Sequence, residues 1–165
     1  MTADRHADIL ALHQLKSRYF RYMDTKQWGR WRTLFSDDLR FFMEDSVLPQ
    51  TQVPITVGGD EFVEYVSDLI TGAVTIHQGH MPEIDFTGPH TARGIWAMYD
   101  FVDYGPGRSA FQGYGHYHED YERGADGQWR IKVLRLTRIR VDEQPGSQPA
   151  GARPSVAPWK RTDPR

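Results

Sequence analysis

His116 and His118 stand two residues apart in the run Gly-Tyr-Gly-His-Tyr-His-Glu-Asp-Tyr. In an extended chain that spacing puts both imidazoles on one face, with Tyr114 and Asp120, and turns Tyr117, Glu119 and Tyr121 to the other. The first face mixes aromatic bodies with polar tips, as a pocket wall requires. A solvated sheet face or a subunit interface would be equally content with tyrosine and histidine. His77 and His80 lie three apart in Thr-Ile-His-Gln-Gly-His-Met-Pro-Glu-Ile. On a regular strand they point to opposite faces, so only one reaches a pocket unless Gly79 makes a bulge. Asp24 closes a helical stretch just before Thr25-Lys-Gln-Trp28. It is either a cap or a carboxylate aimed at a strand histidine. A buried Asp–His pair is an acid–base unit: the carboxylate fixes the imidazole tautomer and raises its basicity. A proton-transfer group of that kind contributes about 10²–10⁴ in rate.

Arg138 belongs to a strand loaded with Arg130, Lys132, Arg135 and Arg140, for which Glu119, Asp120 and Glu122 on the neighbouring strand are ion-pair partners. Of these cations Arg138 is the candidate anion binder. His6, His13 and His90 read as surface residues. His77, His80, His116 and His118 together form a candidate ligand set for a metal, since neutral imidazoles suit zinc, iron or copper.

Composition removes several classes. The 165 residues contain no cysteine, which excludes disulfides, thiolate metal sites and a Cys nucleophile. Lys+Arg 20 against Asp+Glu 22 leaves a net charge of −2, without the basic excess of a nucleic-acid binder. No apolar run approaches the ~18 residues of a membrane span, and the polar start from Met1 to Asp8 lacks the apolar region of a signal peptide. There is no GxGxxG, Walker loop or GxSxG. These features predict a soluble, cytoplasmic, cofactor-independent protein, rich in aromatics at 13%.

The elements that must position these residues follow from periodicity. Ile9, Leu12, Leu15, Lys16, Tyr19, Tyr22 and Met23 recur at helical spacing, with Asp4 or Asp8 as a candidate cap. Trp28, Trp31, Leu34 and Phe35 form a shorter stripe, and 39–44 reads as a strand. A third helix starts near Gly59 and carries Phe62, Val63, Val66, Leu69 and Ile70. The period then changes to two: 74–78 with 82–86, 91–104, 109–123 and 128–141 read as long strands joined by turns. Helices followed by a meander of strands argue an α+β fold. Strands this long bend, so the expected architecture is a cone-shaped barrel, a strongly bent mixed or antiparallel sheet wrapped around three N-terminal helices. The domain is expected over 1–142. The remaining 143–165 form a Pro-rich tail with five of the ten prolines, expected to pack on the domain or a neighbouring subunit with Trp159 as its anchor.

Four stretches of this sequence resemble the SnoaL-like branch of the nuclear transport factor 2-like superfamily, near scytalone dehydratase and the bile-acid 7α-dehydratases. They are Leu15 to Trp28 with Leu34-Phe35, Thr75 to Ile84, Thr91 to Met98, and Tyr121 to Arg138. The resemblance implies a cone-shaped α+β barrel with an aromatic-lined pocket, a catalytic aspartate at Asp24 and a histidine at His77. It implies a second catalytic position on the penultimate long strand, at Tyr114 or His116. The tyrosines that position water in scytalone dehydratase fall here at Met23 and Met43, with Tyr19, Tyr99 or Tyr114 as substitutes. His80, Trp96 and Arg138 complete the expected substrate-binding set. The same superfamily hosts dehydratases, isomerases, cyclases and non-catalytic binders.

The first reading is therefore a lyase or isomerase, dehydratase-like, acting on a hydrophobic oxygenated ring compound without cofactor or metal. It is expected as a homodimer or homotrimer with no nucleic-acid or membrane partner. The second is a non-catalytic binding or assembly module of the same fold, its interface built from Tyr117, Tyr121 and Trp129. The third is a His-ligated metal enzyme.

Overall fold

The computed structural model describes residues 3–147 of the chain. Trp159 and the rest of the expected tail from 148 onward lie outside the described residues. The order is α1 (Ala3–Asp24), α2 (Trp28–Arg32), β1 (Phe35–Glu44), β2 (Thr56–Val57), α3 (Gly59–Ile70), β3 (Val74–Phe86), β4 (Thr91–Asp103), β5 (Ser109–Arg123) and β6 (Trp129–Pro145). The strands form one six-stranded sheet in the order β2-β1-β6-β5-β4-β3. The β1–β6 pair is parallel and all others are antiparallel. The fold is thus α+β with a mixed sheet. The sheet is not closed: β2 and β3 are its two ends. The last strand runs to Pro145, beyond the expected boundary at 142.

The helices lie on one face of the sheet because their apolar stripes meet the inward phase of the strands. Leu12, Leu15, Tyr19 and Met23 of α1 are buried, and β4 alternates with Ala92, Gly94, Trp96, Met98, Asp100 and Val102 inward. Trp31, Phe35 and Phe62 form an aromatic knot with ring centroids 4.9–5.0 Å apart, and Tyr19 joins it 5.4 Å from Trp31. Asp8 is not a helix cap. Its buried carboxylate accepts from Trp129 Nε1 at 3.0 Å and Arg123 Nη1 at 2.9 Å, tying α1 to the far end of β5 and the start of β6.

The phase of β5 differs from expectation. Gly113, Gly115, Tyr117, Glu119 and Tyr121 point inward, whereas Tyr114, His116, His118 and Asp120 lie half-buried on the outer face. Tyr117, Tyr121 and Trp129 are core residues and not an exposed interface. The cause is a partner that no strand pattern reveals. Lys16 of α1, 1% exposed, forms an ion pair with Glu119, 0% exposed. The other Glu119 oxygen accepts from the Tyr121 hydroxyl, which in turn accepts from Trp96 Nε1 at 2.7 Å. The Lys16 ammonium also sits 3.5 Å from the Tyr117 ring centroid and 4.2 Å from that of Tyr19. Burial pulls the Lys16 pKa down to about 8, against the opposing pull of Glu119.

Removing one member of a fully buried pair strands the other charge, at a cost of about 3–5 kcal/mol. Lys16→Met is therefore expected to lower the urea midpoint sharply. Lys16→Met with Glu119→Gln, which leaves no buried charge and still satisfies Tyr121, should recover most of the loss. A double variant as unstable as the single one would show that the pair is not the source.

Candidate active site

Helix α1 ends in a turn that presents Asp24 to β3. Lys26 takes the left-handed conformation at φ 57°, its N–H donating to Met23 O at 3.1 Å while the Gln27 N–H donates to Tyr22 O at 2.8 Å. This is a Schellman closure, in which glycine normally occupies the left-handed position. A carboxylate at a helix C-terminus faces the negative end of the macrodipole, so Asp24 does not serve the helix as a cap. Its bonds all go to β3. Oδ1 accepts from Thr75 Oγ1 at 2.9 Å and from His77 Nδ1 at 2.6 Å, and Oδ2 accepts from the His77 N–H at 2.9 Å. Lys26 Nζ closes the network by donating to Thr75 Oγ1 at 2.7 Å. Burial lowers the Lys26 pKa, opposed by Asp24.

With Nδ1–H held by Asp24, the lone pair of a neutral His77 sits on Nε2. His77 lines a cavity of about 360 Å³ between the helices and the inner sheet face. Its walls are mostly apolar, with Phe41, Phe62, Leu69, Val102 and Leu136 among them. Two further groups give it polarity. Arg138, 10% exposed, donates from Nη1 to Asp100 Oδ1 at 2.7 Å, with Asp100 4% exposed. Tyr19 and Tyr117 also line the cavity. Burial first, and then nearby negative charge, pushes both phenols well above their ordinary pKa, so they remain hydrogen-bond donors at neutral pH.

Of the residues expected from sequence, the structure brings together Asp24, His77, Tyr19, Met23, Met43 and Arg138. Trp96 is buried beside this group without lining the cavity. Tyr114, His116, Tyr99 and His80 lie on the outer face: Tyr114 pairs with Tyr99 across strands, ring centroids 5.5 Å apart, and His80 pairs with Ala97. Gly79 makes no bulge. The irregularity in β3 falls after His80, where Met81 has φ 40°, so His77 and His80 keep opposite faces. The four histidines of the metal reading are divided between the two faces. Among the described residues no group of three or more His, Asp or Glu is placed to hold a metal ion.

Sequence reasoning missed Asp100, Tyr117 and Thr75. Asp100 carried a usable signal: it is the one charged residue in the phase of β4 that holds Trp96, Met98 and Val102. A separate depression of about 340 Å³ on the outer face is lined by Arg93, Asp120, Arg135 and His118. Two of its three arginines are engaged, Arg135 by Glu44 and Arg93 by Asp120; Arg40 also lines it.

An unclosed six-stranded mixed sheet packed on one face against helices is the architecture of the nuclear transport factor 2-like folds. A LinA type 2 hexachlorocyclohexane dehydrochlorinase superposes with a TM-score of 0.75 at 21% identity, covering 93% of this chain and 98% of that one. A scytalone dehydratase-like protein of Novosphingobium aromaticivorans gives 0.73 at 20% identity, covering 93% and 99%. The protein named "Probable cyclase FGR4" of Gibberella zeae is 25% identical over 138 residues, 78% of this chain and 89% of that protein. The SnoaL-like domain matches residues 4–135, and the chain belongs to that family.

Because a left-handed lysine costs about 1–2 kcal/mol that glycine does not, Lys26→Gly is expected to leave the melting temperature unchanged or raised. Turnover should fall by no more than about tenfold, the worth of the one hydrogen bond Thr75 loses, about 1 kcal/mol. Melting curves and rates on the same preparation check both halves.

Proposed function

We propose that the protein is a cofactor-independent lyase or isomerase that moves a proton next to a carbonyl group on a hydrophobic, oxygenated ring compound. The observation that carries this reading is the Asp24–His77 pair opening onto an apolar cavity. His77 Nε2 takes the proton from the carbon beside the carbonyl, and Asp24 stabilises the imidazolium that forms. The electron pair of the broken C–H bond moves into an enolate. Arg138, Tyr117 and Tyr19 are the donors available to its oxygen, preorganised on mostly apolar walls. In an elimination the pair then forms the C=C bond and expels a hydroxyl or halide on the next carbon. The imidazolium gives its proton to a leaving hydroxyl, which departs as water; where a halide leaves as the anion, the proton passes to solvent and His77 is restored. In an isomerisation it returns the proton to a different carbon.

The named relatives support this class of chemistry, since cyclase, dehydrochlorinase and dehydratase steps all begin or end with proton transfer at carbon. Tyr114 and His116 have no part in it, being on the opposite face.

The test is proton exchange in D₂O, followed by NMR, on a panel of cyclic ketones with and without a β-leaving group. Asp24→Asn and His77→Ala are each expected to lower exchange and turnover by about 10²-fold or more while the circular dichroism stays native. His116→Ala should change the rate less than about threefold. Full activity in His77→Ala would defeat the assignment.

A further inference from the structure

We propose that Asp100 is a specificity-determining residue: by neutralising Arg138 it makes the cavity select rings bearing an uncharged carbonyl oxygen and reject the corresponding carboxylates. This rests on the reading above, in which Arg138 faces the substrate oxygen. Asp100 is the cross-strand partner of His77, so it belongs to the same end of the cavity as the base. Arg138 is two strands away on β6, and its side chain passes over β5 to reach Asp100. It passes because the β5 partner of Asp100 is Gly113. A Cβ there would lie 1.8 Å from Arg138 Nη1 and 2.2 Å from Asp100 Oδ1. The ion pair thus occupies a notch left by a missing side chain.

Only one edge of the guanidinium is used. Among the described residues Nε and Nη2 of Arg138 make no side-chain hydrogen bond, and neither is a sealed, unpartnered atom. Arg138 lines the cavity and also borders a shallow depression beside Asp45 and Ile139, and the edge not bound by Asp100 is the part of the guanidinium left for a ligand. An uncompensated guanidinium there would hold any carboxylate through charge-assisted bonds. With Asp100 in place the local charge already sums to zero. An incoming carboxylate adds an unbalanced negative charge among apolar walls, with the Asp24 carboxylate behind His77 as a further repulsion. A carbonyl oxygen adds no charge and still accepts from the open edge. Charge then develops on it only during proton removal, where Arg138 acts most strongly. Selection against the carboxylate is built from repulsion as much as attraction.

The experiment is calorimetric titration with 2-naphthamide and 2-naphthoate, near-isosteric probes that differ in charge and carry no leaving group. Wild type is expected to bind the amide at least about tenfold more tightly than the carboxylate. Asp100→Asn, which keeps shape and an acceptor oxygen, should bring the ratio to one or invert it, and Asp100→Ser serves if that variant does not fold. Adding Arg138→Gln should remove the gain in carboxylate affinity. A wild type that prefers the carboxylate, a ratio unmoved in Asp100→Asn or Asp100→Ser, or no binding of either probe would each overturn the proposal. Because neither probe reacts, the result is independent of turnover. An inactive family of ketones with the ratio as expected would count against the catalytic reading and leave the selectivity standing.

Discussion

The separation of α1 from β3 is set by the absence of a side chain. A Cβ at Gly79 would lie 2.7 Å from Cζ of Phe20, so the Phe20 ring rests on bare backbone. From that contact the two elements run in opposite directions toward the site. Four residues of helix advance about 6 Å, from Phe20 to Asp24, and two residues of strand about 6.6 Å, from Gly79 back to His77. The two steps match, and the Asp24 carboxylate therefore meets both the N–H and the ring of His77. A helix held farther off would leave the imidazole without its orienting partner, and the cavity would hold only a free histidine.

Around that axis the protein hides several charges and satisfies each by a partner on another element. Lys16 and Glu119 join α1 to β5, Asp8 with Arg123 and Trp129 joins α1 to β5 and β6, and Asp100 with Arg138 spans β4 to β6. On the outer face Glu44 accepts from Arg135 and from the N–H groups of Gln50 and Thr51, holding the segment after β1 against the sheet. Pairs of this kind add little net stability compared with apolar packing, but each is satisfied in one arrangement only. They define how helix and sheet are registered, and the cavity inherits its shape from that registration.

The elements were legible from the strongly one-sided stripe of α3 and the two-residue alternation of the long strands; the stripe of α1 is fainter because Asp8 and Lys16 lie on its buried face. Asp24 and His77 were legible through a helix end and through the family resemblance. The facing of β5 was not, because both of its phases carry tyrosines and both carry charge. Glu119 reads as solvent-facing until Lys16, 103 positions away, is known to cover it. The same blindness hid Asp100: Arg138 stood out as a candidate anion binder, but nothing in the strand pattern named the carboxylate that engages it. Local pattern reports what a residue prefers on average, and a buried ion pair reverses that preference for both members at once. The parallel β1–β6 pairing escaped for a related reason, since it depends on which edge remains free after the meander has formed.

That pairing has a consequence for the making of the protein. Among the described residues β6 is the last strand in sequence, yet it lies inside the sheet, joining Phe35 of β1 to Ile131 and also pairing with β5 along its length. Until it leaves the ribosome, the first third of the chain and the meander have no common ladder and expose two unpaired edges. The strand that welds them is also the one that carries Arg138. A nascent or prematurely terminated chain that lacks this strand exposes sticky edges that chaperones and proteases can recognise.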